Sequence, residues 1–217
     1  MTIYKPSISI VLPTIGRDGL WPALDHIVGA GLTSKDEIIC MVDGGNQPEV
    51  TDAILEKFRN TPYIVRPFMM SGQGGDYGHP GRNRGMYLAN KDLVMFTQDD
   101  QFLVPGALTV IKEVLGALTD WDTTGHMFQV VPRAGNLCFF TTGETRCGHI
   151  DADCVVLPVK RRTEFGVWKP GYNGDHSFIT ETMQKFGQPG FRYHHCLISV
   201  HQAHVERYKE MFPNEQP

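Results

Sequence analysis

The chain has 217 residues, 41% of them apolar and 20% charged, with a net charge of −4. That length can bury a core without staples, the composition argues against disorder, and the acidic balance disfavours a strong nucleic-acid binder. No run approaches the ~18 consecutive apolar residues of a membrane span, so no transmembrane segment is expected. Met1–Pro6 lacks the basic stretch and apolar run of a secretory signal. Cys40, Cys138, Cys147, Cys154 and Cys196 are scattered without a CxxC pair, which points to a reducing, cytoplasmic setting. No internal repeat or linker appears, and the expectation is one domain over 1–217.

Short β-rich runs alternate with helical periodicity through the first half. Ile8–Leu12 reads as a strand ended by Pro13, and Leu20, Leu24, Ile27 and Val28 recur at helical spacing. Ile38–Val42 reads as a buried strand before Asp43-Gly44-Gly45, followed by a helix carrying Val50, Ile54, Leu55 and Phe58. Tyr63–Val65 and Leu93–Thr97 are further predicted strands. A helix entered at Pro105 carries Leu108, Ile111, Leu115 and Leu118. The second half is less regular: strands near Met127–Val131, Cys138–Phe140 and Cys154–Leu157, a helix over about Asp175–Phe186, then strands near Arg192 and Ile198. The alternation predicts an α/β fold with a mostly parallel central sheet flanked by helices, and ligands beyond the carboxyl ends of the strands.

The polar clusters fall at those ends. Asp99-Asp100 follows a buried strand, where a carboxylate can hold a divalent ion or cap a turn. Asp43 in Val-Asp-Gly-Gly-Asn can accept from a base or ribose, or form a plain turn. Gly72–Gly85 packs glycines ahead of a helix and adds Arg82 and Arg84, a pattern shared by phosphate cradles and flexible loops. Lys160-Arg161-Arg162 is the one evident basic triplet and reads best as a solvated loop.

Taken together the clusters resemble family 2 glycosyltransferases, which have the Rossmann-like GT-A fold. Ser9-Ile10-Val11-Leu12-Pro13-Thr14-Ile15-Gly16-Arg17 is similar to their opening strand and turn. Val42-Asp43-Gly44-Gly45 is similar to their base-reading turn, and Arg82-Asn83-Arg84-Gly85 to their Arg-Asn-x-Gly helix. Phe96–Leu108 resembles the metal-binding Asp-x-Asp segment and the helix after it. Gln98 departs from that pattern, standing at the first aspartate, while Asp99 fills the middle place and Asp100 aligns with the direct metal ligand.

The resemblance implies a metal-dependent, inverting transfer from a nucleotide sugar, a UDP-sugar for preference, to a hydroxyl acceptor. Pro13, Thr14, Arg17, Asp43, Gly44, Arg82, Asn83 and Asp99 would then bind the donor. Asp100 would hold Mn²⁺ or Mg²⁺, with His201 as a C-terminal ligand and His204 next in line. Asp175, in Gly-Tyr-Asn-Gly-Asp at a helix start, would be the base, a role compatible with capping that helix. Asp151 resembles the turn some small relatives use just before an acceptor-side strand, where it would touch donor sugar or acceptor or be a structural turn, with His149 a weaker case; Trp168 and Tyr172 would stack on a sugar or pack in the core. Residues 1–110 would bind the donor, and 111–217 would form a small C-terminal acceptor-side subregion. The expected acceptor is a glycan intermediate, with a modified DNA base disfavoured. The rivals are a nucleotidyltransferase, whose longer basic first turn is a poor match here, and an inactive nucleotide-sugar binder, which Gln98 would suit.

Overall fold

The computed structural model describes residues 4–45, 47–71, 76–131, 150–187 and 190–211. The expected strand at Cys138–Phe140, His149, Asn46 and the glycines at 72, 74 and 75 lie outside them. Among the described residues, eight strands form one sheet in the order β3-β2-β1-β4-β7-β6-β8-β5, with helices packed on it.

One half of the sheet is built from β1 (Ile8–Thr14), β2 (Glu37–Val42), β3 (Ile64–Met69) and β4 (Leu93–Phe96). Every pairing among them is parallel. β1, β2 and β4 are buried at every residue, which is why they read as unbroken apolar runs rather than alternating ones. β3 is the edge strand, and its mostly half-buried pattern tolerates Pro67. Helices α1 (Leu20–Gly29), α2 (Pro48–Phe58), α3 (His79–Leu88) and α4 (Ala107–Gly116) alternate with these strands. α1 buries Leu20, Leu24 and Ile27, and α4 buries Leu108, Ile111 and Leu115, as their spacing predicts. Two details differ: Leu55 of α2 is exposed, and α4 ends at Gly116, before Leu118.

The other half of the sheet is mixed. β7 (Val155–Pro158) runs antiparallel to both β4 and β6 (Gly125–Val131). β8 (Phe191–His201) runs parallel to β6 and antiparallel to β5 (Gln101–Leu103). The two strands predicted near Arg192 and Ile198 are one strand, which register shifts around Gln129 keep paired. β5 was absent from the predicted elements: three residues leading to a proline carry almost no periodic signal, and their partner lies about a hundred positions on. α5 (Gly174–Phe186) and α6 (Val205–Met211) complete the fold.

α3 is drawn against β1 and β2 by the absence of side chains. A Cβ on Gly85 would stand 2.4 Å from Val11 Cγ1, and one on Gly81 3.2 Å from Met41 Cβ. The close approach brings Arg82 to the carboxyl end of the sheet.

Candidate active site

The carboxyl ends of β1, β2 and β4 open into a cleft of about 210 Å³. It is lined by Pro13, Thr14, Arg17, Asp43, Arg82 and Asp99 among the expected residues, and by Gln98 and Tyr77.

Asp99 is the organising group of its floor. Its side chain is buried, with Oδ2 accepting from Thr14 Oγ1 at 2.9 Å and from Arg17 Nε at 3.3 Å, while Oδ1 pairs with Arg17 Nη2. The Arg17 guanidinium remains half-exposed, held over the cleft by that carboxylate. Asp43 is buried, its Oδ1 accepting the N–H of Gly44 at 2.8 Å. Its own N–H donates to Thr14 O, which ties the first two turns together.

Arg82 is 1% exposed. Nη1 donates to Tyr77 O at 2.7 Å and to His79 Nδ1 at 3.1 Å; Nε is buried without a partner. No carboxylate pairs with it among the described residues. A desolvated cation with no carboxylate in direct contact is costly, and the cleft it lines is where an anion would offset that cost. Tyr77 holds φ 55° with its ring exposed, a backbone strain of about 1–3 kcal/mol at the rim of the cleft. Arg82 grips the carbonyl of that same residue.

His79 joins this half to the next. With Nδ1 accepting from Arg82, its Nε2 carries the proton and donates to Gly171 O at 3.2 Å. The ring fills the space against Gly174, where a Cβ would stand 2.2 Å from Nε2. This seats the N-terminus of α5, and with it Asp175. Asn173, not Asp175, occupies the capping position, so Asp175 is free of that duty in the first turn. Its Oδ1 accepts from Trp168 Nε1 at 2.9 Å. Trp168 is therefore not a sugar platform: it is buried, stacked on Phe178 with centroids 3.4 Å apart, and edge-on to Phe96. Tyr172 is 75% exposed and meets Tyr77 edge to face at 6.2 Å.

Asp100 and His201 come together from the β4–β5 turn and the end of β8, with His201 Nε2 3.6 Å from Asp100 Oδ2. The antiparallel pairing of Gln101 with His201 sets that distance. His201 Nδ1 accepts the N–H of Ala203 at 3.1 Å, so the neutral ring carries its proton on Nε2, towards Asp100. Asp100 is thus an available oxygen donor, and His201 becomes a nitrogen donor once the Ala203 contact yields. Among the described residues no three His, Cys, Asp or Glu side chains are grouped to hold a metal. A divalent ion fits Asp100 and His201 only with further ligands from a bound anion or water.

Other expectations fall elsewhere. The Asn83 amide exchanges hydrogen bonds with the Trp168 backbone at 2.9 and 3.0 Å, outside the cleft lining, so it is a strut rather than a donor contact. His194 lies against His126, which burial keeps neutral by lowering its pKa to about 4. Lys160, Arg161 and Arg162 are engaged by Asp122, Glu164 and the Tyr87 carbonyl respectively. Sequence reasoning missed His79 and Tyr77: nothing marks a histidine before Pro80 as a bridge, and positive φ at a tyrosine has no sequence signal. It also missed the grip of Gln98 and Gln101 on Asp151.

Fold and cleft together define an α/β domain of the GT-A class. No family model matches the chain, and no curated protein matches its sequence. Solved structures share the fold. Staphylococcus aureus TarS superposes with a TM-score of 0.69 at 12% identity, over 94% of this chain and 38% of that one. Residues 1–349 of TarS in complex with UDP-GlcNAc give 0.65 at 12%, over 89% and 58%. The mannosyltransferase PcManGT from Pyrobaculum calidifontis, in complex with GDP-Man and Mn²⁺, gives 0.62 at 13%, over 95% and 61%. This chain spans less than two thirds of the length of each. No helix among the described residues is long and apolar enough to cross a membrane.

Proposed function

We propose that this chain is a metal-dependent glycosyltransferase that moves a sugar from a nucleotide diphosphate donor to a hydroxyl acceptor with inversion. The observation that carries the reading is Arg82, a buried cation with no carboxylate in salt-bridge contact among the described residues, lining the cleft of a fold shared with TarS in complex with UDP-GlcNAc and PcManGT in complex with GDP-Man and Mn²⁺. Asp43 and Thr14 bind the nucleoside end, and Arg17 and Arg82 face the diphosphate. A UDP-sugar is the first donor to test. Asp100, with His201, would hold Mn²⁺ or Mg²⁺, whose positive charge there favours departure of the diphosphate.

Asp175 takes the acceptor proton as the hydroxyl attacks. Its Oδ1 is committed to Trp168, so Oδ2 is the basic atom. Tyr77 and Tyr172, whose exposed rings meet edge to face, offer the acceptor an aromatic surface.

The test is release of nucleotide from UDP- and GDP-sugars with Mn²⁺, Mg²⁺ or EDTA, comparing wild type with Asp100→Ala and Asp175→Asn. Metal-dependent turnover of one donor, lost in Asp100→Ala, is the expected result. Absence of both binding and turnover under every metal condition would sink the reading.

A further inference from the structure

Gln98 stands where the resemblance calls for a carboxylate, and its side chain is turned to another carboxylate. Gln98 Nε2 donates to Asp151 Oδ1 and Gln101 Nε2 donates to Asp151 Oδ2, each at 2.7 Å. The N–H of Ala152 adds a third bond, to Oδ1, at 2.8 Å. Two amides on one turn thus grip both oxygens of a side chain that arrives from the far half of the sequence. An amide nitrogen only donates, so both oxygens are held as acceptors and the carboxylate plane cannot rotate. A carboxylate offers about four acceptor positions, and three are filled.

The location gives the remaining position a use. Gln98 lines the cleft, Asp151 is half-buried, and the charges of Arg82, Asp100 and Asp175 act on it. Asp151 is therefore held beside the cleft by a residue of the cleft wall, next to whatever donor the cleft takes.

We propose that Asp151 accepts a hydrogen bond from a hydroxyl of the donor sugar, and that Gln98, with Gln101, is a positioning residue that aims it. The inference rests on the transferase reading above. It assigns the first place of the acidic segment to sugar recognition and leaves metal holding to Asp100. A carboxylate at position 98 would repel Asp151, so glutamine is what the neighbour requires. The competing account is purely architectural: Asp151 caps the 3₁₀ turn Ala152–Cys154, and the amides tie that turn to β5.

Calorimetric titration in Mn²⁺ separates the two, using UDP and GDP, then UDP-glucose, UDP-GlcNAc and GDP-mannose. Wild type is compared with Asp151→Asn and Gln98→Met, each checked for folding by thermal melting. The quantity read is the Kd of a sugar nucleotide divided by the Kd of its own diphosphate. The expected result is a rise in that ratio of about 10-fold in Asp151→Asn and about 3-fold in Gln98→Met, from loss of one charge-assisted hydrogen bond or of its aim. The diphosphate Kd itself should stay within about 3-fold. An unchanged ratio in the folded variants, or equal weakening of both ligands, overturns the proposal and leaves the architectural role. Should Asp151→Asn not fold, Gln98→Met carries the test, since it keeps Asp151 and its Ala152 contact. If wild type binds neither diphosphate nor any sugar nucleotide, the transferase reading itself falls first.

Discussion

Trp168 and Asp175 are joined by a hydrogen bond of 2.9 Å from indole Nε1 to carboxylate Oδ1. The indole is fixed by the Phe178 stack, and its backbone by the two bonds to Asn83. A core aromatic thus aims the proposed base, and α3, which carries Arg82, is tied to α5, which carries Asp175. Rotation of Asp175 would break a buried donor's only contact, so the carboxylate is pre-oriented before any acceptor arrives.

Trp168→Phe keeps the ring and removes the donor. The expected outcome is a fall in kcat of about 10-fold with the donor Kd unchanged, read by donor hydrolysis with water as acceptor. Asp175→Asn should lower the same rate by about 10²–10⁴-fold, the range of a general base. Equal losses in the two variants would mean that Trp168 acts through folding and not through aim.

Asp100 and His201 are expected to contribute unequally to metal use. Asp100 is an unencumbered oxygen donor, whereas His201 must release the Ala203 N–H before Nε2 can ligate. His201→Ala should raise the Mn²⁺ concentration for half-maximal turnover by about 10-fold, and Asp100→Ala by about 100-fold or more. Metal titrations of activity on the two variants check the order. A larger effect from His201 would overturn it.

Much of this arrangement was legible in the sequence, and the legible part has a common physical basis. β1, β2 and β4 are buried on both faces, so their apolar runs and the polar turns after them stand out without long-range information. Asp99, Asp100 and Asp43 could be placed at one crevice on that ground alone, whereas Arg82, on a helix, was brought there only by the resemblance. What could not be read depends on partners far along the chain. The β5–β8 pairing brings Asp100 to His201, and neither strand end announces the other. Asp151 reaches Gln98 across the sheet, so Gln98 looked like a defect in a motif when it is a matched neighbour. Asn83 is a donor contact only through the resemblance, and for Trp168 the sequence leaves sugar stacking and core packing equally open; the packing makes both supports.

Restoring the motif should therefore do harm. Gln98→Asp replaces a donor to Asp151 with a second carboxylate. Burial first, and then Asp175, already raise the Asp151 pKa to about 6. A further negative charge raises it more, so the variant binds a proton on folding. It should be less stable than wild type by about 1–3 kcal/mol at pH 8, with the gap narrowing below about pH 6 as that proton is taken up. Thermal melts at pH 5.5 and 8 measure this, and a variant as stable as wild type at pH 8 would contradict it.

Asp153 sets the last expectation. It is fully buried, and neither carboxyl oxygen has a hydrogen-bond partner among the described residues. Burial, and then the Asp151 charge, hold its pKa well above the ordinary carboxylate value of 3.8. The folded chain therefore keeps a proton that the unfolded chain releases. Between 3.8 and the raised folded value, the unfolded state binds fewer protons, so stability falls as pH rises and stays at its lower level above that window. Asp153→Asn presents a neutral side chain of the same shape at every pH. Its melting temperature should match wild type near pH 4 and exceed it at pH 8, by roughly 2–4 °C for each kcal/mol removed from the penalty. A difference that is constant across pH, or that favours wild type at pH 8, would mean that Asp153 is ionised in the folded chain and paired with a cation.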